Sequence, residues 1–206
     1  MKKKAIIFDL DNTIYLVSSI GQNLFKSLFQ LIIETGEYKG DLNELKSEIM
    51  RRPFQFVADD FSFSESLKSK CLDLLSDLTY EEKIESVEGF NLVREMPCKK
   101  FLVTTGFKKL QESKIHQLGL IDDFDSISII DPSSSNLTKR DIFEKILIEN
   151  NYQVEEVLVI GDDLNSEIKA AKDLGIESVL YNYKSDPTVT VDQKTIRNFN
   201  ELYLYI

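Results

Sequence analysis

The densest group of reactive residue types is FDLDNT at Phe8–Thr13, where a short apolar run ends in two aspartates. Asp9 and Asp11 are two apart, so on an extended chain both carboxylates point to the same side. One can then attack an electrophile while the other moves a proton. An aspartate is a weak nucleophile toward phosphorus until metal and lysine neutralise the phosphoryl charge, but aspartyl phosphates are an established form of covalent catalysis. Taken alone, the same string also describes a turn after a strand, with Asn12 and Thr13 capping a helix.

Further polar residues stand where Asp9 stands, just past short apolar runs. The runs are Ala5–Phe8 before Asp9, Phe101–Val103 before Thr104, Ile127–Ile130 before Asp131, Val157–Ile160 before Gly161 and Ser178–Tyr181 before Asn182. Runs this short and this continuously apolar suit strands buried on both faces of a parallel sheet. Helical patterns lie between them. Lys108–Leu118 carries apolar residues at 110, 115 and 118 with Gly119 as a stop; Thr138–Ile148 opens on a threonine in N-cap position; Leu164, Ile168, Ala171 and Leu174 are closed by Gly175. This alternation predicts an α/β fold with a doubly wound parallel sheet.

Residues 15–94 break the alternation and read as helices throughout. Leu24, Leu28, Leu31 and Ile32 form one apolar stripe ending near Gly36, Leu42, Leu45 and Ile49 a second, and Leu67, Cys71, Leu74, Leu75 and Leu78 a third. An insert of that length is a subdomain rather than a loop. The expected organisation is a core of residues 1–14 and 95–206 with a small all-helical subdomain of residues 15–94.

Ligands of open parallel sheets bind at the carboxyl ends of the strands. Those ends would bring together Asp9, Asp11, Thr104, Thr105, Asp131, Asp162 and Asp163. So many carboxylates on one edge repel unless a cation or protons offset them; a divalent ion is the simplest resolution, and magnesium, which takes oxygen ligands, waters and phosphate, is the commonest choice.

Composition narrows the partners. The chain of 206 residues has a net charge of −10, which opposes a nucleic-acid polymer held by phosphate neutralisation. Cys71 and Cys98 lack CxxC spacing and read as free thiols in a reducing compartment. The start MKKKAIIFDLD puts three lysines before an apolar run, but Asp9 stops that run after four residues, too few for a signal or a membrane span. A soluble cytoplasmic protein, monomer or homodimer, is expected.

Four motifs follow in order: FDLDNT, FLVTTG at Phe101–Gly106, Lys139 opening a helix, and VIGDDLNSE at Val159–Glu167. Together they resemble the haloacid dehalogenase superfamily of phosphohydrolases, and QLGLIDDFDSI at Gln117–Ile127 and AAKDLGI at Ala170–Ile176 resemble its connecting segments. The resemblance implies a Rossmann-like core and a set of roles. Asp9 would be the nucleophile that becomes a phosphoaspartate, and Asp11 the general acid and base. Thr104, with Thr105 as the second choice, would hydrogen-bond a phosphoryl oxygen, and Lys139 would neutralise the transferring group. Magnesium would be held by the carboxylates of Asp9 and Asp162 and the backbone carbonyl of Asp11, with the remaining acidic role falling to Asp163 or Glu167. The chain departs from the family in two places: Arg140 follows Lys139 where proline is frequent, and Glu167 stands where the last motif commonly has aspartate.

The helical insert resembles the family's C1-type cap, which closes over the site and selects the substrate. Tyr15 is the first candidate to line that pocket, with Arg51, Arg52, Phe54, Phe56, Phe61 and Phe63 behind it, although phenylalanines at such spacing usually build a core. The opening FDLDNTIY is similar to that of pyrimidine 5′-nucleotidase-like members. A phosphatase for a small phosphorylated metabolite is therefore expected, with a nucleoside monophosphate as the first substrate and sugar phosphates or phosphoglycolate as others. The alternatives are a phosphomutase, which uses the same aspartate pair, and a protein that binds phosphorylated ligands without turnover. A receiver-like signalling module is opposed by the large insert, and dehalogenation by the presence of Asp11, which that reaction does not need.

Overall fold

A computed structural model describes residues 2–183 and 193–206. Its strands are β1 (Ala5–Phe8), β2 (Lys99–Thr105), β3 (Ser126–Ile130), β4 (Val157–Gly161), β5 (Glu177–Tyr181) and β6 (Thr195–Ile196). They pair in the order β3-β2-β1-β4-β5-β6, every pair parallel. β1 therefore lies in the middle, in register with β2 through Phe8↔Leu102 and with β4 through Phe8↔Ile160. Strand order reverses beside β1, and that is where a doubly wound sheet opens a crevice at its carboxyl edge.

Period-two alternation assigns each residue of these strands to one of two packed faces. Ile6, Phe8, Leu102, Leu158, Ile160 and Val179 share one buried cluster. Ala5, Ile7, Phe101, Val103, Val157 and Val159 share the other, with Phe143 and Ile146 of helix α8 (Lys139–Asn150) and Ala170 and Ala171 of α9 (Glu167–Leu174). Both faces are covered, which explains why the strands read as unbroken apolar runs.

The segment between β1 and β2 forms α1 (Val17–Leu24), α2 (Lys26–Thr35), α3 (Leu42–Ile49), α4 (Phe54–Asp60), α5 (Glu65–Asp77) and α6 (Phe90–Glu95). The apolar stripe from Leu24 to Ile32 is split over two helices, because Phe25 leaves helical geometry (ψ 13°) and buries its ring beside Phe29. Helix α6 rests on the sheet: the Phe90 ring meets Phe8 at 6.3 Å and Phe199 at 5.7 Å. The first cluster runs without a break from β1 through these helices, so the insert and the sheet share one core.

Helix α7 (Lys108–Gln117) follows β2, and the chain leaves it through Gly119 at φ 66°, a left-handed position that favours glycine. Thr138 caps α8 as expected, in a capping box with Asp141. Helix α9 begins at Glu167 rather than near Leu164, because the Asp163 side chain accepts from the Asn165 backbone N–H at 2.7 Å and holds that stretch in turns. Strand β6 and the short 3-10 helix Phe199–Leu204 gave no recognisable pattern in the sequence.

Candidate active site

The site begins where β1 ends. The Asp9 N–H still donates to the Ile160 carbonyl at 2.9 Å, so Asp9 is aimed by the sheet itself. The chain then turns, with the Ile14 N–H bonded to the Leu10 carbonyl at 3.0 Å and Asn12 at φ 58°, a conformation that asparagine tolerates better than most residues. The Asn12 side chain accepts from the Val17 N–H at 3.1 Å, tying this turn to the start of α1.

Three carboxylates converge on that edge. Oxygens of Asp9, Asp162 and Glu167 lie within 4.8 Å of one another, brought there by the end of β1, the loop after β4 and the first residue of α9. Lys139, placed at the start of α8 by its Thr138 cap, crosses between two of them: Nζ donates to Asp9 Oδ1 at 2.5 Å and to Glu167 Oε2 at 2.8 Å. Glu167, 1% exposed, also accepts the Asp163 N–H at 2.7 Å.

One ammonium against three carboxylates leaves negative charge in excess, and the titration behaviour reflects it. Burial pushes the Asp9 carboxyl up to about 7 although Lys139 pulls it down, with Glu167 and Asp11 adding to the rise. Burial together with Glu167 and Asp9 pushes Asp162 up to about 9. Burial opposes the charge on Lys139, but Asp9 and Glu167 outweigh it, so the ammonium keeps its proton. Three converging oxygen donors that need protons or a cation to offset their charge match a small divalent cation, and Asp9, Asp162 and Glu167 are the residues that could hold it.

Asp11 points into a different set of contacts. Its Oδ1 accepts from the Tyr15 hydroxyl and from Lys114 Nζ at 2.8 Å, and its Oδ2 from Gln111 Nε2 at 2.7 Å. Burial would raise its pKa, but Lys114, Tyr15 and Gln111 hold it below the usual carboxylate range. Gln111 Nε2 also reaches Thr104 Oγ1 at 2.6 Å, which joins the end of β2 to the turn after β1.

The residues picked from the sequence thus fall into distinct places. Asp9, Lys139, Asp162 and Glu167 form one group, and Asp11, Thr104 and Tyr15 form a second beside it. Tyr15 is fully buried against Asp11, with Lys114 Nζ 5.9 Å from its ring centroid. Thr105 offers Gln111 only its backbone carbonyl, at 3.5 Å. The Asp163 carboxylate stands outside the acidic cluster and bonds its own loop. Arg51 and Arg52 both grip Glu48, Arg52 also grips Asp60, and the nearby Asp163 and Asp162 add to Glu48 in keeping the Arg51 guanidinium charged. Phe54, Phe61 and Phe63 are buried, while Phe56 is exposed. Gln111 and Lys114 escaped the sequence reading. Their signal was polarity at helical spacing, since 111, 114 and 115 share one face of α7 and two of those three are polar.

A model of the haloacid dehalogenase-like hydrolase family matches residues 3–175. Among curated proteins, the chain is 26% identical to the glyceraldehyde 3-phosphate phosphatase of Pyrococcus furiosus over 95% of this chain and 88% of the relative. A protein of the same name from Pyrococcus abyssi is also 26% identical, over 87% and 82%. Among solved structures, YfnB of Bacillus subtilis, bound to magnesium, superposes with a TM-score of 0.68 at 19% identity, covering 99% of this chain and 98% of that one. A HAD phosphatase from Thermococcus onnurineus superposes with a TM-score of 0.62 at 22% identity, covering 99% and 97%.

Proposed function

The chain belongs to the haloacid dehalogenase-like hydrolase family, and we propose that it is a magnesium-dependent phosphatase for a small phosphomonoester, working through a phosphoaspartate on Asp9. The observation that carries this reading is Lys139 bridging Asp9 and Glu167 beside Asp162, a nucleophile, a cation and a divalent-metal donor set at one strand edge. Curated relatives named as phosphatases support it.

In this reading an Asp9 oxygen attacks phosphorus and the bond to the ester oxygen breaks. Asp11 gives that departing oxygen a proton and later takes one from the water that attacks the phosphoaspartate, releasing phosphate and freeing Asp9. Lys114, Tyr15 and Gln111 favour the ionised form of Asp11, the form a base needs. The negative charge of an arriving phosphoryl group favours the protonated form that the first step needs. Lys139 offsets charge on Asp9 and on the transferring oxygens. The Thr104 hydroxyl, at the end of the neighbouring strand, would hold one of those oxygens. Asp9, Asp162 and Glu167 would hold magnesium with the Asp11 carbonyl, and the ion supplies Lewis-acid stabilisation of phosphoryl charge. Asp163 then serves to shape the loop.

Helices α1–α5 act as the cap, and the field of Asp162 and Asp163 at Arg51 supports their placement over the site. The relatives named for glyceraldehyde 3-phosphate favour a three-carbon phosphate over a nucleoside monophosphate as substrate. The test is phosphate release from glyceraldehyde 3-phosphate, nucleoside monophosphates, sugar phosphates and phosphoglycolate, with magnesium and with EDTA. Magnesium-dependent turnover of one group is expected. Rearranged phosphate on the same sugar would indicate a mutase instead, and binding without turnover a sensor.

A further inference from the structure

Gln111 and Lys114 lie one turn apart on α7, 1% and 4% exposed, and neither belongs to the four motifs. Lys114 Nζ donates to Gln111 Oε1 at 2.8 Å. That contact fixes which way the amide faces, because an ammonium can only donate and must therefore meet the oxygen end. The Nε2 end is left facing the site, and its hydrogens reach Asp11 Oδ2 at 2.7 Å and Thr104 Oγ1 at 2.6 Å, with the Thr105 carbonyl farther away at 3.5 Å.

A hydroxyl that accepts from an amide keeps its own hydrogen for another acceptor, and among the described residues Thr104 Oγ1 donates to none. Thr104 is 1% exposed at the carboxyl end of β2, next to the turn that carries Asp9 and Asp11. With the amide reversed, Gln111 Oε1 would face the Asp11 carboxylate and would compete for the threonine hydrogen. The close approach is built in at Gly106, where a Cβ would come within 3.0 Å of Gln111 Cδ.

We propose that Gln111, oriented by Lys114, is a positioning residue that turns the Thr104 hydroxyl into a donor toward the transferring phosphoryl group and fixes the orientation of Asp11. The proposal rests on the phosphatase reading, and its effect is directional. It predicts that replacing the amide damages binding of a phosphoryl-like anion as well as turnover, and does so through Thr104.

The experiment measures kcat and KM on p-nitrophenyl phosphate, inhibition by orthovanadate and thermal midpoint for Gln111→Met, Lys114→Met, Lys114→Arg and Thr104→Val, with the double variant Thr104→Val/Gln111→Met. Lys109→Met, whose lysine pairs with Asp77 on the outer side of the same helix, is the control. Expected are a loss of about tenfold or more in kcat and weaker vanadate inhibition for Gln111→Met, partial recovery in Lys114→Arg relative to Lys114→Met, and no change for the control. In the double variant, the vanadate effect of Gln111→Met should largely vanish, because the Thr104 hydroxyl that carries it is gone, while the part of the kcat loss that runs through Asp11 remains. If Gln111→Met does not fold, the uncharged Gln111→Leu carries the same test. Folded Gln111 variants with wild-type kcat and vanadate inhibition, or vanadate effects fully additive with those of Thr104→Val, overturn the proposal while leaving the phosphatase reading intact. A wild-type protein that releases no phosphate from any ester overturns both.

Discussion

Glu167 lies directly over Gly161: a Cβ on Gly161 would come within 2.1 Å of Glu167 Cγ and 2.2 Å of its Oε1. The last residue of β4 is therefore bare so that a carboxylate from α9 can fold back to Lys139 and the Asp163 backbone. Gly161→Ala should expel Glu167 and leave Lys139 with one carboxylate partner. The expected outcome is a loss of about 3 kcal/mol or more in stability together with much weaker magnesium binding, read by denaturant titration and calorimetry. A variant as stable as the wild type would mean that Glu167 has another place to go.

Asp9 and Asp11 should fail in different ways. Asp9→Asn removes the nucleophile and should abolish phosphate release from every ester. Asp11→Asn removes a proton donor, so its first-step defect should be large for an alkyl phosphate and small for p-nitrophenyl phosphate, whose leaving group departs unaided. Burst kinetics on the two esters measure this, and equal defects would remove Asp11 from the acid role.

The two threonines at the end of β2 are separable. Only Thr104 presents its hydroxyl to the Gln111 amide, whereas Thr105 contributes a backbone carbonyl. Thr104→Val should cost kcat about tenfold or more, and Thr105→Val should cost little, since a backbone contact survives the change. Steady-state kinetics decide between them.

Acidity should govern metal binding. Asp9 at about 7 and Asp162 at about 9 both lie above their ordinary 3.8, chiefly through burial. Between about pH 4 and 9 the metal-free folded chain thus binds more protons at these two groups than the unfolded chain does, and their contribution to stability falls as pH rises. Magnesium must displace those protons, so its affinity should climb about tenfold or more from pH 6 to 8 with protons released to the buffer. Calorimetry in buffers of different ionisation enthalpy reads both quantities; affinity that is flat across this range contradicts the assignment.

The sheet was legible because strands buried on both faces leave unbroken apolar runs, and Asp9, Lys139 and Asp162 because each follows a strand or a threonine cap. Phe25 shows where the pattern misled: a continuous stripe of leucines gives no sign that one residue leaves helical geometry. The choice between Asp163 and Glu167 needed three dimensions, since only the bare Gly161 shows which carboxylate folds inward. Gln111 and Lys114 were hidden by distance along the chain, lying about a hundred residues from the aspartate they serve.

Phosphate release from the panel of phosphomonoesters by the wild-type chain and Asp9→Asn, each with magnesium and with EDTA, decides whether Asp9 is the nucleophile of a metal-dependent phosphatase. Turnover of at least one ester by the wild type with magnesium is expected, with none in EDTA and none by Asp9→Asn. Turnover that survives the loss of Asp9, or a wild type inert toward every ester with magnesium present, would contradict that assignment.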